Sequence, residues 1–258
     1  MISKSAFLEE EIPYQKLEKL GISRKSLLNM PKEMIEPLVN GSVTPLVMAR
    51  YEATNNKVLE IPMKLQLVRG DDGRVNLMTY QVRKEIDRES VRLSDHELQK
   101  IKAGEAIRKE VREDGIRKQK YVQLDPETKS LILKDSHTVK ISEKLREMEK
   151  INDIELGTNQ KQAAMEGKPV ELAVGDQKVT VGVDLKEPQG FKVVNGDMKE
   201  WERQMKIRYD HEHEGFMGYV MTDENRWEYQ KVVDRLSHQE NHQHSKKKEE
   251  KKSSGLKL

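Results

Sequence analysis

Between Lys100 and Lys120 the chain carries eight basic residues against four acidic ones, and Tyr121 follows directly. Alternation along a strand sends Arg117 and Lys118 to opposite faces, so the whole set cannot meet one phosphate backbone. Arg108, Lys118, Lys120 and Tyr121 can still gather at one hairpin. With Lys109 and Arg117 they form a candidate nucleic-acid contact, in which charge serves phosphates and a ring serves a base. The plainer reading, a solvated hairpin interleaved with Glu110 and Glu113, carries more weight.

The other chemistry-bearing residues are thinner. His211 and His213 flank Glu212, and His238 and His242 stand at helical i, i+4 spacing. Imidazole pairs bind zinc or nickel in this way, but a structural site needs four ligands held by packing, so no metal site is expected. Asp114 followed by Glu127-Thr128-Lys129 satisfies the loose Asp, Glu-x-Lys spacing of metal-dependent nucleases. Glu127 and Lys129 fall in a Pro-containing turn, whereas that chemistry asks for a rigid strand. There is no Gly-rich phosphate loop, Ser-His-Asp order or dinucleotide fingerprint. No catalytic residue and no cofactor are expected.

Composition narrows the frame. The 258 residues are 35% hydrophobic and 36% charged, with 3 Phe, 2 Trp and no Cys, which suits several small units better than one large core and excludes thiolate chemistry. The net charge of +2 is uneven, because residues 236–258 hold six lysines and three glutamates and leave the body neutral. A surface matched everywhere to nucleic acid is thereby excluded, and only a local patch or the tail remains. The first residues lack a basic n-region and an apolar h-region, and no apolar run of about 18 residues occurs. A cytoplasmic chain with no membrane contact is expected.

The elements that must position these residues follow from glycine stops and alternation. The clearest stretch runs from Leu156 to Lys192: a short polar helix ending at Gly167, then Val170, Leu172 and Val174, a Gly175-Asp176 turn, and Val179, Val181, Val183 and Leu185. Ser94 and Glu97 form a capping box, with Leu93 and Leu98 as its hydrophobic staple. That helix ends at Gly104, and AIRKEV, a turn at Glu113-Asp114-Gly115 and IRKQKYVQL make a hairpin before Asp125-Pro126-Glu127. Aligned on Gly104 and Gly167, the two segments repeat. Met63, Leu65 and Leu67, a turn at Gly70 to Gly73, and Val75, Leu77 and Thr79 give a looser first copy. Ahead of it, Leu17 and Leu20 share a helix face closed by Gly21, and Ser23 caps a second short helix. This pair reads as a cover for a sheet more readily than as a DNA-reading helix-turn-helix. Pro37 is expected to break or kink the helix that Pro31 opens and Gly41 stops.

The segments IPYQKLEKLGISRKSL, LVNGSVTPL and VNLMTYQVRKEI resemble the uncharacterised bacterial family numbered 4099 among domains of unknown function. NQKQAAMEGKPVEL with its hairpin resembles family 3945. Together the resemblance spans residues 12–194. It implies modules carried on bacterial conjugative elements, some of them associated with DNA topoisomerase, and it assigns no catalytic residue.

Beyond Gly196 six aromatics fall within 29 residues, Trp201 to Tyr229. Asp197 is expected to cap a helix, Gly215 to Met221 to form a strand, and Thr222 or Asp223 to start a helix carrying Trp227, Val232, Val233 and Leu236. Burial in a small core is the expected role of these rings. The expected fold is α+β: degenerate repeats of a short helix followed by a β-hairpin, an aromatic-rich α/β C-terminal subdomain and a disordered tail. The divisions fall at 12–90, 91–150, 151–195, 196–236 and 237–258. The expected function is a non-enzymatic binding or adaptor protein of a bacterial mobile genetic element, contacting DNA or a DNA-processing partner. A metal-dependent nuclease or other hydrolase and a purely protein-binding scaffold are the alternatives, and oligomeric state is left open.

Overall fold

Apolar residues at helical spacing shape the first three helices, α1 (Tyr14–Glu18), α2 (Arg24–Leu28) and α3 (Lys32–Asn40), in a computed structural model that describes residues 6–52, 58–113, 115–206 and 216–232. Ser23 caps α2 by accepting from the Ser26 amide at 3.1 Å. Of the break or kink expected at Pro37, no break occurs: α3 runs through Pro37, and it ends at Gly41 in the left-handed region as expected. Met34 and Leu38, both fully buried, hold it on the sheet across the hydrogen bond that Pro37 forfeits.

Strands β1 (Val47–Glu52), β2 (Val58–Arg69) and β3 (Val75–Gln81) form an antiparallel meander behind these helices. Leu17, Ile22, Leu27, Met34 and Leu38 pack on Val47, Ala49, Met63, Leu65 and Leu67. The helical pair α1–α2 thus covers a sheet face, and Leu27 of α2 lies in the core, which is not the disposition of a DNA-reading helix.

The same design returns twice. Helix α4 (Asp95–Lys102) leads into β4 (Ile107–Glu113), β5 (Ile116–Leu124) and β6 (Leu131–Asp135), and α5 (Ile141–Asn152) follows. Helix α6 (Thr158–Met165) leads into β7 (Val170–Val174), β8 (Gln177–Val183) and β9 (Phe191–Asn195), and α7 (Met198–Met205) follows. Each hairpin read from the sequence is extended by a third strand, giving three-stranded sheets in the orders β4-β5-β6 and β7-β8-β9. The Ser94–Glu97 capping box is present, with both reciprocal bonds formed.

Gly104 and Gly167 occupy the same place in the two copies, at φ of 89° and 96°. A side chain is barred at both for a second reason. A Cβ at Gly104 would stand 2.5 Å from Met205 Cβ, and one at Gly167 would stand 2.2 Å from the Ala106 carbonyl oxygen. The glycine that stops each helix is therefore also where a distant part of the chain packs: the end of α7 at Gly104, and the segment before β4 at Gly167. After each middle strand an aspartate folds the turn: Asp125 Oδ2 accepts from the Thr128 amide at 2.8 Å and Asp184 Oδ1 from the Lys186 amide at 3.1 Å.

The described residues after Gly196 divide between two sheets. Helix α7 lays Trp201 against Gly182 of β8. Strands β10 (Met217–Met221) and β11 (Trp227–Lys231) join the first sheet, whose order becomes β11-β10-β1-β2-β3, with β10 parallel to β1. Over its described part, the helix expected from Thr222 or Asp223 is corrected to a turn and strand β11, while Val233 and Leu236 lie outside the described residues. Asn225 adopts φ of 58°, and the Thr222 amide donates to the Arg226 carbonyl at 2.8 Å, so this Asp-Glu-Asn cluster closes a hairpin instead of opening a helix. No helix among the described residues is long and apolar enough to cross a membrane.

Candidate functional site

Strand pairing sorts the basic hairpin. Lys109 faces Lys120 and Val111 faces Lys118 across the ladder, which puts these three lysines on one face. Arg108 pairs with Tyr121 and Arg112 with Arg117, on the other. The fold therefore divides the predicted set Arg108, Lys109, Arg117, Lys118, Lys120 and Tyr121.

The lysine face is internally neutralised. Lys109 Nζ bonds both Glu97 oxygens at 2.7 Å. Lys120, 9% exposed, bonds Glu113 at 2.6 Å and lies 3.2 Å from Asp135. Lys118 lies 3.3 Å from Asp71 and 3.8 Å from Asp135. Lys118, Lys120 and their aspartates line a cleft of about 630 Å³ between the first two sheets, in which lysines and carboxylates alternate. Asp71, Asp135 and His137 each offer one oxygen or nitrogen within 4.8 Å of the others. The Lys118 ammonium already bridges both aspartates, so their negative charge is met without an added cation.

Lys134 also lines this cleft, and its Nζ donates to the Glu187 and Pro188 carbonyls at 3.2 and 2.5 Å. Burial pushes its ammonium down to about 8, against the opposing pull of Glu187.

The opposite face differs. Tyr121 is 4% exposed, its hydroxyl donates to the Met165 carbonyl at 2.6 Å and its ring lies in the core, so it offers no surface for a base. Its hydroxyl titrates high because burial disfavours the phenolate, despite nearby Arg108. Arg108, Arg112 and Arg117 remain exposed on this face. Only Glu110, 3.6 Å from Arg117, pairs with any of them among the described residues.

A group with no signal in the sequence lies where the three units meet. Lys64, flanked by Met63 and Leu65 of β2, is 5% exposed and reaches Asp125 at 2.9 Å and Glu127 at 2.7 Å. Burial alone would lower the Lys64 ammonium, but Asp125 and Glu127 outweigh it and raise it above its ordinary value. Burial alone would raise the Asp125 carboxyl, but the Lys64 charge and bonds from Lys64 and Thr128 hold it below the carboxylate range. Beside this pair, Gln66 Nε2 donates to the Gly41 and Leu185 carbonyls, and Gln66 Oε1 accepts from the Tyr80 hydroxyl at 2.8 Å. The alternation of Met63, Leu65 and Leu67 implies a solvated opposite face. Those intervening polar residues are buried instead, and only contacts with the later units reveal why.

Glu127 lies in the turn between β5 and β6, held by Lys64, and Lys129 Nζ donates to the Lys84 carbonyl at 3.4 Å. The rigid strand that a nuclease Glu-x-Lys pair requires is not present there. Asp114, His211, His213, His238, His242 and the tail lie outside the described residues. Of the aromatic block, Trp201 is 2% exposed, Trp227 donates from Nε1 to the Ser26 carbonyl at 2.9 Å, and Tyr229 is 58% exposed on edge strand β11.

Residues 7–90, from the first helices through β3, match the family model described as "Protein of unknown function (DUF4099)". No curated protein and no solved structure matches the chain.

Proposed function

We propose that the chain is a non-enzymatic binding or adaptor protein of a bacterial mobile genetic element, and that Arg108, Arg112 and Arg117 contact the DNA backbone. The observation that carries this reading is the contrast between the two faces of the β4–β5 hairpin. Lysines on one face are bonded to carboxylates. On the other, three arginines stand exposed around one glutamate, Glu110. Guanidinium groups suit phosphate recognition through paired donors. The mobile-element setting rests on the resemblance of residues 12–194 and on nothing in the geometry.

A mobility-shift titration at two salt concentrations tests it. Binding at low salt is expected, and Arg108→Gln, Arg112→Gln and Arg117→Gln together should flatten the salt dependence by roughly 0.9 in slope for each phosphate they cease to neutralise. No binding at low salt, or a triple variant that binds like the parent, refutes the DNA contact. Lys118→Gln, already engaged by two aspartates, serves as the control.

One observation favours a protein partner as a second reading. Strand β11 is the edge of the five-stranded sheet, and Tyr229 stands exposed on it, as a strand-adding partner would require. Co-purification that survives nuclease treatment and disappears with Tyr229→Glu supports it. A metal-dependent hydrolase would need divalent-dependent cleavage abolished by Glu127→Gln.

A further inference from the structure

A second, smaller cavity of about 320 Å³ opens at the junction of the three units. Lys64, Lys186, Lys192, Arg203, Gln204 and Glu127 line it. These side chains come from β2, the turn after β5, the turn after β8, strand β9 and helix α7, so the complete fold is needed to assemble them. An ion inside meets four cations, one amide and one carboxylate, and Glu127 is already bonded to Lys64 at 2.7 Å.

Apart from Glu127, the counter-charges do not line the cavity. Asp125 and Asp184 are 0% and 1% exposed, and neither they nor Glu200, which holds Arg203, contribute to the cavity wall. Two of the cations retain free bonding capacity. Lys186 Nζ lies 3.7 Å from Asp184 Oδ2, too far for a hydrogen bond, and that oxygen is buried with no hydrogen-bond donor among the described residues. Lys192 makes no ion pair among the described residues, although Glu187 and Glu200 both feel its charge. Gln204 Nε2 donates to Glu200 Oε1 at 2.8 Å, which fixes the orientation of the amide in the wall.

We propose that this cavity binds a phosphate group. Convergent ammonium groups with one guanidinium suit a compact dianion that offers several acceptor oxygens, and charge-assisted bonds of this kind are the strong ones. The small volume and the absence of large apolar side chains from the wall exclude a bulky hydrophobic ligand. The phosphate is either a free ion or the terminal phosphate of a nucleic-acid strand. This site is separate from the arginine face of the β4–β5 hairpin and does not depend on DNA being bound there.

Calorimetric titration of the full chain with inorganic phosphate tests it, beside a short oligonucleotide with and without a 5′-phosphate. Saturable phosphate binding is expected. Lys186→Gln and Lys192→Gln, partly exposed positions whose folding is checked by unfolding midpoint, should each weaken it by roughly tenfold, equivalent to about 1.4 kcal/mol. Preference for the 5′-phosphorylated strand that disappears in Lys192→Gln identifies a strand terminus as the source. Phosphate binding with no such preference identifies the free ion. No saturable binding, or binding unchanged in both variants, overturns the proposal. Retention of phosphate binding when Arg108, Arg112 and Arg117 are all glutamine separates this site from the DNA contact.

Discussion

The backbone amide of Leu185 donates to Gln123 Oε1 at 2.7 Å, while the Leu185 carbonyl accepts from Gln66 Nε2 at 3.3 Å. One fully buried peptide position of the third unit is thus held from the other two. Gln123 also donates to the Val183 carbonyl at 3.2 Å. Replacing Gln123 with Ala strands two buried backbone groups, and each costs about 1–3 kcal/mol. Because Gln66 and Gln123 share Leu185, their alanine variants should be non-additive. A double-mutant cycle on urea unfolding should give a coupling of roughly 0.5 kcal/mol or more. Strict additivity would mean that the units do not lock through this residue.

The Lys64–Asp125 pair makes a sharper prediction. Asp125→Ala removes the partner of a buried ammonium and the acceptor that folds the turn, so a loss of about 3–5 kcal/mol is expected. Glu127→Gln keeps Asp125 in place and should cost clearly less. Equal losses in chemical denaturation would show that Glu127 is the principal partner.

Acid and alkali should act through different residues. The depressed Asp125 carboxyl contributes stability at neutral pH, and this is lost as pH falls below the ordinary carboxylate value of about 4. Lys64, raised, keeps its contribution until strongly alkaline pH. Lys134 has the opposite sign: its folded value of about 8 lies below that of an unfolded lysine, so the unfolded chain binds more protons between the two. Stability should therefore gain a rising component between about pH 8 and the ordinary lysine value of about 10.4. Lys134→Met should abolish that component when unfolding midpoints are measured across this range.

Gly167→Ala should be more damaging than a surface glycine replacement. It combines the left-handed φ of 96° with a Cβ placed 2.2 Å from the Ala106 carbonyl oxygen. Backbone cannot swing aside as a side chain does, so a loss above about 3 kcal/mol is expected. Gly115→Ala, at φ of 81° with nothing within 4 Å, isolates the conformational part and should cost about 1–2 kcal/mol.

Local physics makes much of the α+β fold readable. The Val170–Leu185 alternation, the Gly175-Asp176 turn and the Ser94–Glu97 box depend on neighbours within a few residues, and all are present. Helix α5 and strand β9 are not among the expected elements, although Ile141, Leu145 and Met148 are spaced for one buried face. The β1–β10 pairing has no local signal, because parallel partners need not be close in sequence. The candidate site is obscure for the same reason. Charge counts locate Lys109, Lys118 and Lys120 but not Glu97, Asp71 and Asp135, which neutralise them from other elements. Lys64 and Lys192 look like ordinary strand lysines until three units are brought around them.

Because β1 shares its sheet with β10, the first meander has an open border until the last described hairpin exists. At a translation rate of about 5–20 residues per second, that interval is on the order of ten seconds or more on the ribosome. During it, the β10-facing side of β1, including the Leu46 carbonyl that accepts from the Tyr219 amide, presents unpaired backbone to solvent, and nascent-chain crowding or a premature stop before β10 would leave that border available to other polypeptides.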